Sequence, residues 1–152
     1  MATAQQDLQR GWALHQQRRC AEAESIYRRV LNTAQDNAAA WCYLGIALHD
    51  QRHYEQAVAA YRKALELQPD DFAILDSMGW VLFKLGKHAE ALTYLRRSWD
   101  AGQDTEVAAH LGEVLWATGD QAGAREIWQR ALKKNPDHKM LRGVIQRFGV
   151  KL

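Results

Sequence analysis

The sequence has few of the features that mark disulfide-stabilised or membrane-spanning chains. Its only cysteines are Cys20 and Cys42, too few for a disulfide framework, and we expect both to be free thiols. It contains no apolar run of about 18 residues that could span a bilayer, and no basic start followed by an apolar stretch. We therefore expect no membrane insertion. The expected location is cytoplasmic for the sequence as given, and periplasmic if a leader has been removed.

The chain also has little excess charge of either sign. The sequence has 20 Lys and Arg residues and 18 Asp and Glu residues, which gives a formal net charge of +2. Proteins that bind nucleic acid gain affinity when many Lys and Arg residues contact phosphates and displace the counterions there. Because the net charge of this chain is so small, we expect no nucleic-acid partner. Hydrophobic residues at 47% and charged residues at 25% match an ordinary folded protein. A length of 152 residues is enough for one domain with a buried core.

The sequence repeats itself at a nearly constant interval. Gly11, Gly45, Gly79 and Gly112 are separated by 34, 34 and 33 residues. Each Gly is followed by Leu after three residues, by Ala after twelve and by a large residue after sixteen. The large residues are Tyr27, Tyr61, Leu95 and Trp128. Small residues let two helices approach closely, while Leu and aromatic columns at helical spacing fill the space between them. Each repeat therefore predicts one pair of helices.

These columns also set the expected boundaries. The repeats are predicted at residues 4–37, 38–71, 72–104 and 105–138, all within one domain that spans residues 1–152. Residues 139–148 are expected to form a capping helix, because an open stack needs its last apolar face covered. Asp70, Asp71 and Asp137 are candidate N-caps beside the helix-ending Pro69 and Pro136.

The second repeat resembles the tetratricopeptide repeat. The segment AAAWCYLGIALHDQRHYEQAVAAYRKALELQPDD matches that family's pattern at Trp41, Leu44, Gly45, Leu48, Tyr54, Ala57, Tyr61, Ala64 and Pro69. Similar matches cover residues 4–138, with departures at Arg10, Ser98 and Gln103. The resemblance implies an all-α fold, a right-handed α-solenoid of four helix pairs with a C-terminal capping helix. It also implies a non-enzymatic adaptor or scaffold that binds other proteins.

A narrower resemblance concerns the second half of the chain. Residues 75–131 are similar to the C-terminal repeats of bacterial outer-membrane tetratricopeptide lipoproteins, whereas residues 1–71 are similar to generic bacterial repeats. This difference raises the hypothesis that the chain is a fusion of two repeat pairs. The alternative to an adaptor is therefore an engineered or recombined repeat protein that has no natural ligand and self-associates.

In the family the first helix of each pair lines the concave face, which places a predicted groove on these helices. The predicted groove residues are Trp12, His15, Ile46, His49, Asp76, Trp80, Phe83, Glu113 and Trp116. Such an apolar and aromatic surface is typical of a binding site. Its acidic members favour a protein or peptide with apolar anchors and some basic residues, bound by a monomer or weak homo-oligomer. Alternatively, these rings simply pack the inner wall.

Metal and catalytic sites are not expected. His15 and His49 occupy equivalent positions near Asp50, but two His on neighbouring helices are more often wall residues than ligands. Cys42 has no third residue to orient His49 toward it, as a nucleophile would need. No phosphate-binding glycine motif is present. We therefore predict no metal, no cofactor and no enzymatic activity.

Overall fold

A computed structural model describes residues 1–152, and every regular element in it is an α-helix. The helices are α1 Ala4–Gln16, α2 Cys20–Thr33, α3 Ala38–Asp50, α4 Tyr54–Leu67, α5 Phe72–Lys84, α6 His88–Gly102, α7 Thr105–Ala117, α8 Gln121–Lys134 and α9 Lys139–Arg147. The predicted all-α class, with four helix pairs and a final helix, is confirmed. None of the nine helices has the length and apolar character that a membrane span requires.

The first helix of each pair begins at a residue that caps it. Asn37 accepts a hydrogen bond from the backbone N–H of Ala40 at 3.0 Å, and Asp71 accepts from Ala73 at 3.0 Å. The prediction that Asp137 caps the last helix is wrong, because α9 begins at Lys139, one residue later than an Asp137 cap requires. His138 occupies the cap position instead, and its Nδ1 accepts from the N–H of Leu141 at 3.4 Å.

The turn inside each pair places one residue in the left-handed region. That residue is Arg18 with φ 65°, Arg52 with φ 63°, Gly86 with φ 78° or Gly119 with φ 94°. Glycine adopts this conformation without steric strain, whereas a side chain costs about 1–2 kcal/mol there. The first two turns are therefore more strained than the last two.

The glycine column is the contact point within each pair. A Cβ placed on Gly45 would lie 2.5 Å from Cε1 of Tyr61, and one on Gly11 would lie 2.5 Å from Cε1 of Tyr27. The Ala column of the second helices is fully buried, at Ala23, Ala57, Ala91 and Ala124. The sequence columns thus correspond to close helix–helix contacts.

The third pair explains two departures from the repeat pattern. Ser98 is fully buried on α6, and its Oγ donates to the backbone carbonyl of Phe72 at 2.6 Å. The Phe72 ring lies against Gly102, where a Cβ would be 2.7 Å from the ring. α6 runs for 15 residues to Gly102, and the residue that caps its C-terminal end is Gln103, with φ 47°. Ser98 therefore lies inside a longer helix, and Gln103 caps that helix.

The chain divides into two compact units, residues 1–69 and residues 70–152. Unit 1 contains α1 to α4 and unit 2 contains α5 to α9. Within unit 2, α9 packs on α7 and α8 and buries Leu141, Val144 and Ile145. The assignment of residues 1–152 to one domain stays a prediction.

Candidate functional site

Unit 1 holds four of the predicted groove residues on α1 and α3, and we call Trp12, His15, Ile46 and His49 the unit 1 wall. Trp12 is 38% exposed and stacks on His15 with ring centroids 5.3 Å apart. The Tyr43 ring lies 5.5 Å from the Trp12 ring. The other three wall residues are only partly exposed. Trp12 is therefore the most exposed of the predicted groove rings in this unit.

Asp50 connects the two histidines of this wall. Its Oδ2 lies 2.7 Å from Nε2 of His15, and its Oδ1 lies 3.1 Å from Nδ1 of His49. Cys20, at the start of α2, is the third nearby group, since the ligand atoms of His15, Cys20 and Asp50 all lie within 4.8 Å of one another. Burial and the Asp50 carboxylate raise the pKa of the Cys20 thiol. These residue types are able to hold a metal.

Unit 2 holds the other five predicted groove residues, and we call Asp76, Trp80, Phe83, Glu113 and Trp116 the unit 2 wall. Trp80 on α5 stacks on His110 of α7, with centroids 4.4 Å apart, and lies 5.4 Å from the Phe83 ring. Nζ of Lys84 lies 4.8 Å from the Trp80 ring. His110 also contacts Asp76, whose Oδ1 lies 2.9 Å from Nδ1 of His110. Trp80 is thus fixed in a network of rings.

The remaining two residues of the unit 2 wall pack toward α9. Oε1 of Glu113 lies 2.5 Å from Nη2 of Arg147. Trp116 stacks on the buried Trp128 at 5.9 Å and lies 5.6 Å from Phe148. Trp116 is therefore partly a support for the core as well as a wall residue.

The acidic residues of the unit 2 wall, Asp76 and Glu113, and Asp50 beside the unit 1 wall already have partners inside the chain. Asp50, Asp76 and Glu113 each face a His or Arg side chain, and the side chains of Asp76 and Glu113 are only 15% and 16% exposed. The charge of Asp76 and Glu113 is therefore directed into the wall, whereas the Asp50 side chain is 43% exposed.

The two rings that support the wall tryptophans, Tyr43 and His110, were not predicted from the sequence. Tyr43 and His110 both lie two residues before the column Gly, and each contacts the Trp that follows the column Gly of the preceding repeat. The signal was present in the sequence, because an aromatic or imidazole ring occupies this position in repeats two and four alone.

Comparison with known families decides the assignment of the chain. Three sequence models, each described as the tetratricopeptide repeat, match residues 38–71, 60–93 and 82–147. Together they extend from residue 38 to residue 147, which is most of the sequence. The chain belongs to the tetratricopeptide repeat family. This confirms the family resemblance and the solenoid class, and as a tetratricopeptide repeat protein the chain is a protein-interaction repeat module.

Known relatives agree with the family but do not define an activity. The TPR repeat-containing protein PA4667 of Pseudomonas aeruginosa is 56% identical over 39 residues, which is 26% of this chain and 7% of that protein. The matched segment thus spans a small part of that relative's length. The resemblance to outer-membrane lipoproteins and the fusion hypothesis stay predictions.

Solved structures of other tetratricopeptide proteins share the fold at low identity. PilF of Pseudomonas aeruginosa has a TM-score of 0.83 and 20% identity, covering 95% of this chain and 68% of PilF. MamA has a TM-score of 0.77 and 17% identity, covering 91% of this chain and 84% of MamA. YrrB, described as a TPR protein with an unusual peptide-binding site, has a TM-score of 0.75 and 21% identity, covering 97% of this chain and 78% of YrrB. The absence of enzymatic activity in this tetratricopeptide repeat protein stays a prediction.

Proposed function

We propose that this tetratricopeptide repeat protein is an adaptor that binds a peptide or helix of a partner protein through its first-helix walls. The observation that carries the proposal is the ring stack of the unit 2 wall, in which Trp80 is partly exposed and held by His110. Trp12 of the unit 1 wall is a second, separate exposed ring with a comparable support from Tyr43. The same arrangement thus occurs once in each unit.

A supported Trp on a surface is well suited to recognition. Trp offers a large apolar area, and it is among the residues that most often dominate interface energetics. Because Trp80 already contacts His110 and Phe83, binding would immobilise little additional side-chain freedom. A preorganised wall therefore binds at a lower entropic cost than a flexible one.

The chemistry of the wall indicates what kind of partner fits. Asp76 and Glu113 are matched by His110 and Arg147, so the wall presents less free negative charge than its composition implies. We propose that apolar or aromatic anchors of the partner supply most of the affinity, and that basic residues in it add a smaller contribution. YrrB, a TPR protein with an unusual peptide-binding site, supplies a precedent in the same fold.

Selection from a displayed peptide library tests this function, because the selection works even when the natural partner is unidentified. We expect the purified chain to enrich peptides that carry apolar anchors. Trp80→Ala should weaken binding of the selected peptides about 30-fold, because loss of a Trp hot spot costs about 2 kcal/mol or more. Circular dichroism of the variant separates lost binding from lost folding.

Tyr94→Ala is the matched control, because Tyr94 is a partly exposed aromatic residue on the second helix α6 of the same pair. It should leave peptide binding unchanged. Equal losses in the Trp80 and Tyr94 variants would contradict the assignment of the wall. A chain that selects no peptide, and self-associates in light scattering through Trp80, would favour a recombined repeat protein without a natural ligand.

A further inference from the structure

One cluster in unit 1 combines three kinds of metal-binding side chain. His15 lies near the end of α1, Cys20 opens α2, and Asp50 ends α3. Their imidazole nitrogen, sulfur and carboxylate oxygen all lie within 4.8 Å of one another. We infer that His15, Cys20 and Asp50 form a binding site for a transition-metal ion of the Zn²⁺ class.

The donor set selects the type of ion. Zn²⁺ accepts imidazole nitrogen, thiolate sulfur and carboxylate oxygen together, in a tetrahedral arrangement with ligand distances of about 2.0–2.3 Å. Mg²⁺ and Ca²⁺ require mainly oxygen ligands, and this cluster offers a single carboxylate. Asp50 is 43% exposed, so solvent can reach the fourth coordination position. The site therefore resembles an open, three-ligand zinc site.

A neighbouring residue orients the carboxylate ligand. Nδ1 of His49 lies 3.1 Å from Oδ1 of Asp50, while Oδ2 faces His15. A hydrogen bond from outside the ligand set is the usual way in which a metal-binding carboxylate is held in place. His49 is thus a positioning residue for Asp50. On metal binding the Cys20 thiol releases its proton to solvent, and the resulting thiolate coordinates the ion.

The cluster is particular to the first repeat. In the second repeat the positions of His15 and Cys20 are taken by His49 and Tyr54, whose rings lie 5.4 Å apart. In the third they are taken by Phe83 and His88, with rings 5.1 Å apart. Those pairs of rings pack against each other and provide one imidazole at most. The first repeat therefore has a possible metal ligand, Cys20, at a position where the second and third repeats have a packing ring.

Cobalt absorption tests the site in the full chain. Co²⁺ bound to a thiolate gives a sulfur-to-cobalt charge-transfer band in the near ultraviolet, so the tag-free protein should develop this band on titration with Co²⁺ and lose it when Zn²⁺ is added. Cys20→Ser should abolish the band, and His15→Gln and Asp50→Asn should each weaken Zn²⁺ binding in calorimetry by more than about 10-fold. His49→Phe should weaken it by about 10- to 100-fold, as expected for a supporting residue.

Two control variants make the result specific. Cys42→Ser keeps the ligand set and should retain the band, and His53→Gln removes an exposed histidine outside the cluster and should leave Zn²⁺ affinity unchanged. A band that persists in Cys20→Ser would overturn the proposal. So would Zn²⁺ binding that is equally strong in the His15 and Asp50 variants, because that result would show that surface histidines alone bind the ion.

Discussion

The contact between Gly112 and Trp128 gives the most direct test of how a helix pair packs. A Cβ on Gly112 would lie closer than 3.0 Å to three atoms of the Trp128 indole. The Trp128 ring is fully buried, is stacked on Trp116 and lies 5.7 Å from the tilted Phe148 ring, so it cannot move aside freely. Gly112→Ala therefore forces a rearrangement inside unit 2.

Two opposing effects set the magnitude. Replacing Gly by Ala inside a helix stabilises it by about 1 kcal/mol, and overpacking a filled core costs about 1–3 kcal/mol. With three ring atoms in conflict we take the upper end, which leaves a net loss of about 2 kcal/mol. At this chain length that loss corresponds to a fall in Tm of about 4–8 °C.

Gly143→Ala is the matched control. Gly143 lies in the middle of α9, and a Cβ there would meet nothing within 4 Å. Only the helix-propensity gain applies, so Tm should rise by about 2–4 °C. Thermal unfolding followed by circular dichroism measures both variants. If Gly112→Ala were as stable as Gly143→Ala, the close approach of α7 and α8 at this column would be refuted.

Four further changes follow from the same packing. Trp128→Ala should lower the free energy of unfolding by about 3–5 kcal/mol in thermal or urea denaturation, and a parental value would place Trp128 outside the core. Ala57→Leu should cost about 1–3 kcal/mol by overpacking, in the same assay. Arg52→Gly should stabilise by about 0.5–1 kcal/mol because it relieves a left-handed side chain, whereas Gln51→Gly, at negative φ, should destabilise. Deletion of residues 139–152 should lower Tm and cause association in light scattering, since it exposes apolar surface; a monomeric, equally stable deletion would contradict this.

The helix pairs were predictable because their determinants lie within one repeat. Gly11 and Tyr27 are sixteen residues apart, and the fixed spacing in the sequence is the same contact that joins α1 to α2 in the structure. Local signals also predicted the Asp71 cap. The His138 cap was missed because its imidazole takes a role that Asp usually fills.

The details of the candidate sites were less predictable because they depend on contacts between repeats. The stacking of His110 on Trp80 requires the register of α5 against α7, which the first-helix columns alone do not specify. The grouping of Cys20 with His15 and Asp50 requires three separate helix ends to meet. Residue types that are scattered along the sequence thus became a cluster only through packing.

The central claim is that a partner peptide binds on the first-helix walls, and the six tryptophans of the chain are well placed to test it. Each indole N–H gives one signal in a ¹H–¹⁵N correlation spectrum, and single Trp→Phe variants assign the signals. On addition of a library-selected peptide, we predict large shifts for Trp80 or Trp12, which lie on the walls. Trp41, whose Nε1–H donates to the carbonyl of Gln35 at 2.8 Å, and the buried Trp99 should stay unchanged. Shifts confined to Trp41 and Trp99, with Trp80 and Trp12 unmoved, would contradict the account.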